Sequence, residues 1–186
     1  MGITPEMRKN IEELSKRPTK IGEIKGFPET GKTAWRSAND LVFIQAANEY
    51  NSAHGLSKND EGYITPKLLK AWAMIESGGE GDKEAFLRDP LQVNNPDDWP
   101  DDDSKTKWAG LTKDQKMTPK SSVEAALKWF RYKAYIHDDT GSETEFRGIK
   151  EGLERYNRNP KKDKEIDGKK VEHYIWYARE IMELSK

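Results

Sequence analysis

Apolar residues recur at helical spacing in several separated runs. Met7, Ile11 and Leu14 follow Thr4-Pro5, so the spacing predicts an opening helix capped by Thr4 and ended by Pro18. Residues 17–31 hold Pro18, Gly22, Gly26, Pro28 and Gly31 and read as a loop. Trp35, Ala38, Leu41, Val42, Ile44, Ala46 and Tyr50 predict a long helix over 33–53, stopped at His54-Gly55. Thr65-Pro66 opens another over 67–77, which meets Gly78-Gly79. Residues 78–120 are dense in Gly, Pro, Asp and Asn with little periodicity, and an irregular loop or small β-hairpin is expected there. Ser121-Ser122-Val123-Glu124 reads as a capping box for a helix to residue 137. Further helices are predicted over 142–157 and 171–184. The pattern gives a mainly α fold.

Length and composition narrow this. A chain of 186 residues suits one compact unit, with 1–60 as a helical N-terminal part packing on a core region over 61–186. Charged residues are 35% and apolar residues 34%, yet aromatic residues reach 10% and supply core area or line a groove. The formal charge of −1 argues against general nucleic-acid binding. No apolar run approaches the roughly 20 residues of a membrane span, so no membrane insertion is expected. Cysteine is absent, which excludes disulfides and thiolate chemistry. The start Met1-Gly2-Ile3-Thr4-Pro5-Glu6 lacks the basic and apolar segments of a signal peptide.

The candidate chemistry centres on one carboxylate. Leu68, Trp72 and Glu76 lie four residues apart, so Glu76 shares an apolar stripe in the last turn of its helix. Burial and the negative helix end both disfavour its charged form, which is the tuning a general acid needs. The solvated helix-end Glu is the common alternative for such a residue. His54, His137 and His173 show no two-histidine metal spacing, and no cofactor or metal is expected. Gly26 to Thr33 matches the phosphate-loop pattern formally, but no apolar strand precedes it.

Glu76-Ser77-Gly78-Gly79, then Asp89-Pro90-Leu91-Gln92-Val93-Asn94, then Arg155-Tyr156-Asn157 resembles the lysozyme-like superfamily, in its lytic transglycosylase and goose-type lysozyme branch. The likeness spans roughly 65–160. Pro90 stands where the family has glycine, and the glycine-rich step after Tyr-Asn is replaced by Arg158-Asn159-Pro160. The resemblance implies a peptidoglycan glycosidase acting on the bacterial cell wall. Glu76 is then the acid, and Tyr156 lies near it. Ser77, Gln92, Asn94, Trp99 and Asn157 are the implied substrate-side residues, with Asn157 also supporting its helix end.

Hydrolysis needs a second carboxylate. Ten acids lie between Glu76 and Asp103, opposed only by Lys83 and Arg88. Asp97 and Asp98 rank first because they follow Gln92 and lie next to Trp99. Asp89, held extended before Pro90, is expected as a structural cap. Muramidase-type hydrolysis is therefore the leading expectation. A lytic transglycosylase, whose substrate supplies its own hydroxyl, and a non-catalytic wall-binding module of the same fold are the alternatives. The missing leader fits delivery to the periplasm by a secretion system or phage, or excision from a longer protein. An immunity protein or a secretion-apparatus component is the candidate protein partner.

Overall fold

The computed structural model describes residues 18–79, 83–96, 99–100, 102–157, 163–166 and 169–186. Its helices, in chain order, are a 3-10 helix at Gly31–Ser37, α1 at Asp40–Ala53, α2 at Pro66–Glu76, α3 at Lys83–Arg88, α4 at Ser104–Ala109, α5 at Pro119–Ala134, α6 at Ile149–Tyr156 and α7 at His173–Leu184. Two antiparallel hairpins complete the described residues. β1 (Tyr135–His137) pairs with β2 (Glu143–Phe146), and β3 (Asp163–Ile166) pairs with β4 (Lys169–Glu172). The fold is mainly α, as the pattern predicts. No described helix is long and apolar enough to cross a membrane.

α2 is the central rod. Thr65 caps it by accepting the Leu68 N–H at 3.0 Å, and Pro66 takes the first turn, where its missing N–H costs nothing. Leu68 through Met74 are all buried, Lys70 included, so α2 is covered on every side rather than along one stripe. α1 and α7 pack against it, while α5 packs on α1, α4 and α6, and α6 on α7. Gly152 lets α5 and α6 approach closely. A Cβ there would sit 2.6 Å from the Phe130 ring and 2.7 Å from the Ala134 Cβ.

Several expected boundaries move. The helix expected over 33–53 is two helices, because the chain turns at Ala38-Asn39 and the buried Asn39 amide donates to the Phe86 carbonyl at 2.7 Å. The capping box of α5 is Thr118 with Ser121, three residues earlier than expected. The helix expected over 142–157 begins at Ile149. Asp138 ties the preceding residues into a turn, Phe146 pairs with Tyr135, and Gly148 takes φ +95°. Among its described residues the segment 78–120 holds two short helices, and the described hairpins lie after it. The helix expected over 4–17 lies outside the described residues.

The N-terminal segment is fastened to α2 by charge. Fully buried Lys70 donates to the Gly22 carbonyl at 2.7 Å and pairs with Asp40 at 2.9 Å and with Glu29. Asp40 also accepts the Ile21 N–H at 3.0 Å. Lys70 is tolerable inside because two carboxylates and a carbonyl surround its ammonium.

Candidate active site

Glu76 is the last residue of α2 and is half-buried. Its Oε1 accepts the hydroxyl of Tyr177 from α7, and that same hydroxyl oxygen accepts the Trp72 indole N–H. Tyr177 is fully buried. Burial, and then the neighbouring Glu76 charge, hold its phenol well above the usual range, so it stays protonated.

The loop after Glu76 is held from two sides. Ser77 is buried, and its hydroxyl donates to the Pro90 carbonyl at 2.8 Å. The buried Arg36 guanidinium, on the 3-10 helix, donates to the carbonyls of Gly78 at 3.0 Å, Gly79 at 3.1 Å and Pro28 at 3.2 Å. A cation at the C-terminal end of α2 also answers that end's negative dipole. Gly78 is required by space, since a Cβ would lie 2.7 Å from the Met74 Cα.

The second segment turns tightly around Asp89. That buried carboxylate accepts the Val93 N–H at 3.3 Å, the Asn94 N–H at 3.2 Å and the Ser122 hydroxyl at 2.5 Å. All three bonds are internal, in keeping with a structural cap. Gln92 is left-handed at φ +48°, an uncommon conformation for a side-chain-bearing residue, and its amide donates to the Asp89 carbonyl at 2.6 Å. Asn94 is buried. Its amide donates to the carbonyls of Gln115 at 2.8 Å and Thr112 at 3.2 Å, and its Oδ1 accepts the Trp99 indole N–H at 3.0 Å. The Trp99 ring is half-buried, with the Lys105 ammonium 5.6 Å from its centroid.

The third segment closes the set. The Tyr156 hydroxyl donates to the Leu91 carbonyl at 3.0 Å, and its ring meets Trp72 edge-on at 4.6 Å between centroids. Asn157 Oδ1 lies 3.2 Å from His173 Nδ1, linking the end of α6 to the start of α7. Segments 76–79, 89–94 and 155–157, the last of them about 60 residues on in sequence, thus adjoin at the end of α2. Asp97 and Asp98 lie outside the described residues.

Sequence reasoning missed Tyr177 and Arg36. The available signal for Tyr177 was a hydroxyl-bearing ring on the buried face of an amphipathic helix, with Ala178 and Ile181, where a phenol needs a partner. Nothing in the loop before α1 marked Arg36.

A separate cavity of about 380 Å³ lies between α1, α4, α5 and the first hairpin, lined by Tyr50, His54, Trp108, Leu127, Tyr132 and His137 among others. It shares no lining residue with the Glu76 cluster. Arg131 braces it, donating from Nε to Glu143 at 2.7 Å and from Nη1 to the Tyr50 hydroxyl at 3.3 Å. Among the described residues, no group of three or more His, Asp or Glu gathers in a way that would hold a metal ion.

The class of protein these features define is a mainly α domain with a hydrogen-bonded carboxylate at a helix end. Neither family models, nor curated proteins, nor solved structures give a match to the chain.

Proposed function

We propose that the protein is a peptidoglycan glycosidase with Glu76 as general acid. The observation that carries this reading is the convergence of three separated segments on the end of α2. Ser77 bonds the Pro90 carbonyl, Tyr156 bonds the Leu91 carbonyl, and Glu76 stands beside them, half-buried and hydrogen-bonded. A loop neighbourhood that merely solvates an acid would not need these ties.

In the proposed step, Glu76 gives its proton to the glycosidic oxygen as the C1–O bond breaks, and the leaving sugar departs as an alcohol. In muramidase-type hydrolysis a water adds to C1 and loses its proton to a second carboxylate. Asp97 and Asp98 remain the candidates, because Asp89 spends its oxygens on the fold. If the substrate's own hydroxyl adds to C1 instead, it gives its proton to the Glu76 carboxylate left by the first transfer, the product is an anhydro-sugar, and no second carboxylate is needed. Gln92 and Trp99, both half-buried beside the cluster, are the proposed substrate-side residues. The proposed site of action is the bacterial cell wall, reached through a secretion system or phage or as part of a longer protein, with an immunity protein or secretion component as partner.

The aromatic cavity between α1 and α5 favours a second reading, a binding module of the same fold that acts without cleavage. Digestion of purified peptidoglycan followed by mass spectrometry separates the readings. Reducing-end fragments identify a hydrolase, anhydro ends a transglycosylase, and intact glycan a binding module.

A further inference from the structure

Glu76 does not stand alone at the end of α2; it is the last member of a chain of donors. The indole Nε1–H of Trp72 donates and cannot accept. It points at the Tyr177 oxygen, and the Tyr177 oxygen meets Glu76 Oε1. The direction of the chain follows from those facts. Because Trp72 supplies a proton to the Tyr177 oxygen, the phenol's own proton must go to Glu76. Both rings are almost wholly buried, while the Glu76 carboxyl is half-exposed.

We propose that Tyr177 is the positioning residue of the Glu76 carboxyl, its hydroxyl proton committed to Oε1 by the Trp72 indole. This rests on the reading of Glu76 as a general acid. It goes further in naming which oxygen works. In a protonated carboxyl the carbonyl oxygen is the better acceptor, so Oε1 keeps the Tyr177 bond and Oε2 carries the proton that is transferred. The same donor stabilises the carboxylate left behind after transfer, and it opposes the helix end and partial burial, which favour the neutral acid. Tyr177 thus balances the acid between holding and releasing its proton. Tyr156 sits against Trp72 at the same junction, but its hydroxyl is spent on the Leu91 carbonyl.

The other titratable or charged groups about this chain are Tyr156 on α6, His173 on α7, whose ring centroid lies 6.4 Å from that of Tyr177, and Arg36, bound to the Gly78 and Gly79 carbonyls.

The test is a carbon-13 NMR titration of the glutamate side-chain carboxyls in the full chain, with the Glu76 signal assigned by its loss in Glu76→Gln. Tyr177→Phe removes only the hydroxyl. Its Glu76 midpoint should rise by about one pH unit, the scale of one hydrogen bond to a charged group. Trp72→Phe should move it the same way by less, because the phenol proton is then free to turn. The pH limit above which lysis fails should rise in parallel. A folded Tyr177→Phe with an unmoved midpoint overturns the proposal. If that variant does not fold, an unmoved midpoint in Trp72→Phe overturns it instead. The titration needs no substrate. A shifted midpoint in a protein that cleaves no glycan therefore keeps the relay and removes the glycosidase. Cleavage that depends on Glu76 with no shift does the reverse.

Discussion

At the scale of single residues, two carboxylates thirteen positions apart in the chain have opposite fates. Asp89 is enclosed by two backbone N–H groups and the Ser122 hydroxyl, and its job is to shape the turn that carries Gln92. Glu76 keeps a half-exposed carboxyl at a helix end with one buried phenol donating to it. Tyr156 differs from Tyr177 in that its hydroxyl donates to a backbone carbonyl, that of Leu91. Tyr156→Phe should therefore cost about 1 kcal/mol of stability, read from thermal unfolding, through loss of the Leu91 tie. It should slow glycan cleavage much less than Glu76→Gln. Loss of activity equal to that of Glu76→Gln would place Tyr156 in the chemistry. The position of Glu76 was legible in sequence from its four-residue spacing with Trp72 and the glycines behind it, and the Asp89 cap from the proline that follows it. Tyr177 was not legible as its partner, because the aim of a core phenol is set by how α7 packs on α2, 101 residues away along the chain.

At the scale of elements, local signals located most helices and missed their joints. Thr65-Pro66 starts α2 as expected, and Thr118-Pro119 starts α5 by the same cap chemistry, three residues before the expected box. The breaks came from elsewhere: Asn39 turns the chain by reaching across to Phe86, a contact that periodicity does not encode. The first hairpin shows how a turn outweighs a run of helix formers. Asp138 Oδ1 accepts the N–H groups of Thr140 and Ser142, both at 2.9 Å, and the Thr140 hydroxyl at 2.6 Å. These bonds, the Thr140 hydroxyl foremost, hold its carboxyl below the usual range. A depressed folded-state pKa means that the turn's extra stability is present above about pH 4, the unfolded value, and fades as pH falls through the folded one. Amide exchange of 135–146 should be faster in Asp138→Asn than in the native chain at neutral pH. The difference should vanish in acid. Equal protection at neutral pH would mean that the strand pairing alone holds the hairpin.

At the scale of the whole molecule, the chain on either side of α2 converges on it. Lys70 takes Glu29, Asp40 and the Gly22 carbonyl; Arg36 takes the carbonyls behind Glu76; Tyr177 of α7 takes Glu76 itself. The N-terminal segment is thus wired into the framework of the proposed site. Lys70→Met keeps the volume but leaves two enclosed carboxylates without their cation, and should destabilise the fold by about 3–5 kcal/mol. Denaturant unfolding checks this, and a change below 1 kcal/mol would show that the cluster gives little net stability. This wiring was beyond sequence reading, since a lysine at position 70 looks like any solvated helix residue until the packing encloses it.

The proposed role of Glu76 as a general acid on glycan can be tested without any other residue. The most direct measurement is release of soluble fragments from purified peptidoglycan by the native chain and by Glu76→Gln, with thermal unfolding recorded for both. Glycan fragments are expected from the native chain, with a loss of about 10²–10⁴-fold in the variant and a fold that survives. A variant that keeps more than half the native rate, or a native chain that releases no fragments, would contradict it.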